Sequence, residues 1–209
     1  LRDRDMTIGQ QRAEIRAVQA EATVHAKLPK RAVRSKAAAF RTLLGRLPQS
    51  SRWLRALKLG DYAVADLPDK SFSIDDKSGA KAVCTRALDE EGLLVIVAKG
   101  TLDVPVLPSI LGTGVIVVRY APTPNTTGTL SCEAVVDFRL RSGLLHMLSR
   151  PFKRTLSQVI VAKLAALIRS AVDLSEAIER DPVAVYRKLE QANADTADLK
   201  AFRLRFLRL

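Results

Sequence analysis

From Thr129 to Arg141 the chain alternates polar and apolar residues almost without error, and a long apolar-striped segment follows. Leu130, Cys132, Ala134, Val136, Phe138 and Leu140 fall on one face of a strand, with Thr129, Ser131, Glu133, Asp137, Arg139 and Arg141 on the other. That is the pattern of an antiparallel strand with one buried face. Gly143 punctuates it. From about Phe152 to Ile178 the apolar positions become Leu156, Ile160, Leu164, Leu167, Ile168, Ala171 and Leu174, a helical stripe of period near 3.6. A one-sided strand followed by a one-sided helix constrains the fold to one in which both face a shared interior.

The rest of the chain divides by the same reasoning. Thr7 is placed to cap a helix over Ile8 to Ala20, a segment with few apolar residues that needs a body to lie on. Glu21 to Leu28 alternates as a first strand ending at Pro29. Lys30 to Leu47 places Val33, Ala37, Phe40, Leu44 and Leu47 on one side, predicting a helix stopped by Pro48. Ser50 or Ser51 would then cap a short helix, Arg52 to Leu59, ended by Gly60. Between Asp61 and Arg141 the β-branched runs Tyr62–Leu67, Ser71–Ile74, Lys81–Leu88, Leu93–Leu102, Gly114–Tyr120 and Thr129–Arg141 alternate with turn-rich segments, a meander. With Arg119 outward, Ile116, Val118 and Tyr120 point inward beside Val136 and Phe138.

Composition bounds the function classes. The 209 residues are 47% hydrophobic and 27% charged, enough for a substantial core and unlike a disordered chain. Neither Leu93–Tyr120, broken by Lys99, Asp103, Pro105 and Pro108, nor the long helix, with Gln158, Lys163 and Arg169, offers about 18 uninterrupted apolar residues for a membrane span. Lys and Arg total 34 against 22 Asp and Glu, and the excess lies in the flanks, residues 1–60 and 150–209. Such flanks suit an anionic surface, RNA or lipid head groups, through Arg31, Arg34, Arg52 and Arg55. Trp53, within that basic cluster, is expected beneath a sheet edge. No secretory segment is evident, and a chain that begins at Leu1 reads as trimmed from a longer precursor, suited to a bacterial cytoplasm or an organelle matrix.

The order strand, two helices, antiparallel strands and one long C-terminal helix resembles the helix-grip fold of the START-like (SRPBCC) superfamily, which includes Bet v 1 allergens, polyketide cyclases and lipid-transfer proteins. The resemblance covers residues 21–178. It rests on Gly128-Thr129-Leu130 opening the last strand, Gly143-Leu144-Leu145 after it, and the helix that follows. It implies an α+β fold in which a curved antiparallel sheet grips the long helix around a hydrophobic cavity. Ile116, Val118, Tyr120, Val136 and Phe138 would face Leu156, Ile160, Leu164 and Leu167 across it. Residues 1–20 would be a helical extension. Residues 179–209 would form a second one, with Asp181 capping a helix from Pro182 to about Leu199 and a tail from Ala201 to Leu209. In that tail Phe202, Leu204 and Phe206 alternate with Arg203 and Arg205, which fits an added edge strand. Wound as a helix it would be a basic amphipathic end. Either form must dock, on the body or on a protein partner.

Three function classes follow. The first is a non-catalytic carrier of a hydrophobic small molecule, a lipid, isoprenoid or pigment. The second is an assembly subunit that meets RNA, an anionic membrane or protein through its basic flanks and tail. The third is a cyclase- or dehydratase-type enzyme, for which no acid–base pair stands out. His25, His146, Tyr120 and Cys132 are the available groups, because Glu133, Asp137 and Arg139 fall outward by parity. Gly112-Thr-Gly114 precedes a strand and lacks the phosphate-loop frame. Cys84 and Cys132 read as buried small hydrophobes, and neither metal-ligand spacing nor a cofactor motif is present.

Overall fold

A computed structural model describes residues 8–103, 109–141 and 150–207. Helix α1 (Ile8–Ala20) precedes two four-residue strands, β1 (Val24–Lys27) and β2 (Arg31–Arg34). Helices α2 (Ala37–Gly45) and α3 (Leu47–Ala56) follow. The meander comprises β3 (Ala63–Asp66), β4 (Phe72–Asp75), β5 (Ala80–Glu90), β6 (Leu93–Leu102), β7 (Ile110–Pro122) and β8 (Thr129–Leu140). Helix α4 (Arg150–Arg180) is 31 residues long, and α5 (Pro182–Gln191), α6 (Thr196–Phe202) and a wide helical turn, Arg203–Leu207, close the chain. Thr7 and the Gly143-Leu144-Leu145 segment lie outside the described residues.

All eight strands form one antiparallel sheet, in the order β1-β8-β7-β6-β5-β4-β3 with β2 also on the β8 edge. The expected helix from Lys30 to Leu47 is therefore corrected. Its first residues, Arg31 to Arg34, pair with Cys132 to Thr129, and the helix starts only at Ala37. Pairing with an open edge outweighs the helix preference of a short Ala- and Arg-rich segment. Pro29 separates the two short strands. Pro48 does not stop a helix either. It sits in the first turn of α3, where a missing N–H costs nothing. Ser50 and Ser51 lie inside α3, buried, donating to the Leu43 and Pro48 carbonyls at 2.8 Å each.

The alternation of β8 is realised: Leu130, Cys132, Ala134, Val136 and Leu140 are buried in the main core with Leu156, Ile160, Leu164, Ile168 and Val172 of α4. Helix α4 is also long and apolar enough to cross a membrane by length and composition, yet this stripe faces the sheet. The opposite face of the sheet is covered as well. There α1 lays Val18 over Val95, Val97, Val115 and Val117. This is why Asp137, outward by parity, is buried: Gln19 of α1 reaches its Oδ2 at 3.5 Å, and the exposed His25 places Nδ1 2.6 Å from its Oδ1.

In the C-terminal extension one helix is shorter than expected, and one of the two forms open to the tail is realised. The helix begun by Asp181, whose carboxylate accepts from the Ala184 N–H at 2.8 Å, ends at Gln191, and Asp195 caps a new one. Asn193, with φ of 53°, makes the turn between them. The tail is helical and not an edge strand, because Phe202 and Phe206 share a face at a spacing of four while Leu204 is 72% exposed. It docks on the body. Trp53, expected beneath a sheet edge, meets Phe202 and Phe206 edge-on, with centroids 5.3 and 5.9 Å away, and donates to the Asp198 carbonyl.

Candidate functional site

Between the sheet and the first half of α4 lies a cavity of about 530 Å³ that opens to solvent. Its origin is a patch of small residues at inward positions on three adjacent strands. Ala82 pairs with Gly100 and Gly100 with Gly112; one step along, Cys84 pairs with Ala98 and Ala98 with Gly114. Ala162 and Ala166 of α4 stand on the other side. With side chains this short, sheet and helix can be spaced for contact elsewhere and still leave a hollow here. A Cβ at Gly112 would lie 2.2 Å from the Phe138 ring, and one at Gly100 would lie 2.0 Å from the Lys81 carbonyl. The first glycine lets Phe138 lean over β7. The second lets β5 and β6 approach closely.

Of the residues the sequence pointed to, Ile116, Val136, Phe138, Ile160, Leu164 and Leu167 line this cavity. Val118 instead borders a nearly filled apolar void of about 50 Å³ deeper in the core, shared with Ile116, Leu164 and Leu167. Tyr120 and Leu156 line neither. Tyr120 packs edge-on against Phe40 at 5.4 Å and Leu156 is fully buried in the main core. The small-residue patch is written in the sequence as Ala80-x-Ala82-x-Cys84, Ala98-x-Gly100 and Gly112-x-Gly114 on alternate positions.

The polar part of the lining gathers Asp61, Asp76, Ser78, Lys81, Thr101 and Lys163. Lys163 Nζ donates to Asp76 Oδ2 at 2.5 Å and to the Ser78 Oγ and carbonyl at 2.8 and 3.2 Å, tying α4 to the β4–β5 turn. Burial pushes the Asp76 carboxyl up, but the Lys163 hydrogen bond and the Ala80 and Ser78 N–H groups outweigh it and hold the group below the ordinary carboxylate range. Cys84, in the cavity wall, has its thiol pushed up to about 12 by burial, and Cys132 to about 11 by burial and then Glu133, so neither is a ready nucleophile. His25 is exposed on the outer face of the sheet, away from the cavity, and His146 is outside the described residues. Among the described residues no cluster of His, Cys, Asp or Glu could hold a metal ion.

The residues expected to meet a partner separate into two groups. Arg31, Arg34, Arg55 and Arg203 are exposed. The others are engaged within the chain. Arg52 makes a bidentate pair with buried Asp198 at 2.7 to 3.0 Å, Arg205 donates to Gln49 at 2.6 Å, and Phe202 and Phe206 pack on Trp53. Asp198 holds the Arg52 guanidinium above its ordinary value.

No protein-family model matches the sequence, and no curated protein sequence does. Structural likeness is found instead. A START superfamily protein from Mycobacterium smegmatis superposes with a TM-score of 0.51 at 8% identity, over 74% of this chain and 98% of that one. The di-domain ARO/CYC protein BexL, of the BE-7585A biosynthetic pathway, superposes with a TM-score of 0.50 at 15% identity, over 80% of this chain and 57% of that one. Ara h 8.0201 superposes with a TM-score of 0.46 at 6% identity, over 71% of this chain and 96% of that one. The fold is the helix-grip fold seen in that START superfamily protein: α+β, with an eight-stranded antiparallel sheet packed against a long C-terminal helix.

Proposed function

We propose that the protein binds a hydrophobic small molecule in the cavity between its sheet and α4. The observation that carries this reading is the hollow itself, about 530 Å³ and bounded mainly by apolar atoms, within the range of ligand-binding cavities. Packing would have removed it had Ala98, Gly114 or Ala166 been larger. Ile116, Val136, Phe138, Ile160, Leu164 and Leu167 supply the apolar contact. Lys163, Asp76 and Ser78 form a polar end against which a head group can sit. A lipid, isoprenoid or pigment of modest size meets these requirements.

The test is mass spectrometry of organic extracts from natively purified protein, with binding of the apolar dye N-phenyl-1-naphthylamine as a second measurement. A reproducible apolar molecule, reduced in Ala98→Leu, is the expected result. A clean extract together with no dye binding would overturn the reading.

A further inference from the structure

A second opening shares no residue with the apolar cavity. It is a cleft of about 570 Å³ between the α2–α3 corner and strands β3 and β5, and its lining includes Arg41, Arg46, Arg52, Arg86, Asp66 and Asp89. Arg41 is committed to Asp89, with Nε 3.3 Å from Oδ1 and Nη2 3.2 Å from the carbonyl oxygen. Arg52 is committed to Asp198. Arg46 and Arg86 have no carboxylate partner among the described residues. Arg86 is the more telling of the two. Its Nε is buried with no hydrogen-bond partner, and its guanidinium sits 5.7 Å from the centroid of the Phe72 ring, which holds the group in place by cation–π attraction.

The surroundings add positive charge and little to offset it. Arg205 reaches Gln49 in the lining at 2.6 Å, and its pKa is lowered by burial and then by the nearby Arg46 charge. Helix α3 starts at this cleft with no side-chain cap and no acidic residue in its first turn, leaving its positive end uncompensated. Five guanidinium groups thus stand against Asp66, Asp89, Asp195 and Asp198, a lining of net positive charge that suits an anion. From this juxtaposition we infer that the cleft binds a phosphate-bearing molecule, with Arg46 and Arg86 meeting the phosphoryl oxygens and Arg41 and Arg52 framing them. Guanidinium forks fit such oxygens in pairs. The cleft's volume suits a phosphorylated small molecule or a single lipid head group and not a nucleic-acid duplex.

Calorimetric titration with inorganic pyrophosphate at constant ionic strength tests the site, alongside co-sedimentation with phosphatidic acid vesicles and with phosphatidylcholine vesicles. Binding of pyrophosphate is expected to weaken roughly tenfold to a hundredfold in Arg46→Glu and in Arg86→Gln, as for the loss of a hydrogen bond to a charged group. The exposed Lys153→Glu should leave it unchanged. Because Arg46 is exposed, its variant keeps the inference falsifiable even if Arg86→Gln fails to fold. Binding only to phosphatidic acid vesicles, abolished by Arg46→Glu, would assign the phosphate to a lipid head group and support the site. No binding of either probe, or equal weakening by Lys153→Glu and Arg46→Glu, would overturn it, and so would capture of an oligoribonucleotide alone. Ala98→Leu should leave pyrophosphate binding intact, so that this site and the apolar cavity stand or fall separately.

Discussion

The two halves of α4 pack against opposite kinds of surroundings. Its first half, with Ile160, Ala162, Leu164, Ala166 and Leu167, looks across a hollow at glycines and alanines. Its second half, with Leu174 and Ile178, is set into a solid cluster of Leu43, Trp53, Leu54, Val185, Leu189 and Phe202. The apolar stripe of the helix runs through both halves, so what differs is the size of the residues opposite. A hollow in a protein of this kind is written by small residues on the facing strands, while the aromatic C-terminal extension anchors the helix that spans it.

That contrast can be broken at several points. The largest effect is expected in the solid half. Phe202→Ala, which removes a fully buried ring in contact with Trp53, should cost about 3–5 kcal/mol by urea unfolding. A loss below about 1 kcal/mol would mean the extension does not anchor α4. Arg52→Ala should cost about 2 kcal/mol, because it strands the buried Asp198 carboxylate, while the partial exposure of Arg52 keeps the value below that of a fully buried pair.

Filling the hollow should behave differently from overpacking a core. Ala98→Leu should change stability by less than about 1 kcal/mol, where the same enlargement in a packed interior costs about 1–3. Thermal unfolding separates the two outcomes, and a large loss would show that the hollow cannot admit extra atoms. The smallest effect concerns the Lys163–Asp76 tie. Since the folded carboxyl titrates below its unfolded value, the tie contributes fully above about pH 4 and is lost as pH falls through the lower folded value. In Lys163→Met the acid limb of stability should be shallower. An unchanged slope would remove the tie from the account.

Legibility in the sequence followed the length and symmetry of each pattern. Thr129–Leu140 and the long helix repeat one period many times, Leu93–Leu102 is a long β-branched run, and each stands where the pattern put it. Arg31–Arg34 is four residues long, too short to show a period, and its conformation is decided by the free edge of β8. The Phe202–Phe206 segment satisfies a period of two and a spacing of four equally, and docking on Trp53 selects the helix. The large residues of the cavity wall were legible as the inward face. The cavity was implied by the family resemblance alone; its place depends on which small residues align across strands, and that register is a tertiary property. The arginine cleft was hidden for the same reason, as β5 and the α2–α3 corner are joined only by folding.

The break at Pro29 has a consequence for how these molecules behave in company. Open sheet margins invite neighbouring chains to add on and grow into aggregates. Here one margin is divided by proline into two four-residue pieces bearing exposed Lys27, Arg31 and Arg34, and the other is the four-residue β3. Neither offers a straight run long enough for a second copy to zip onto. A chain with so many β-branched residues is thereby kept from polymerising by the brevity of its borders.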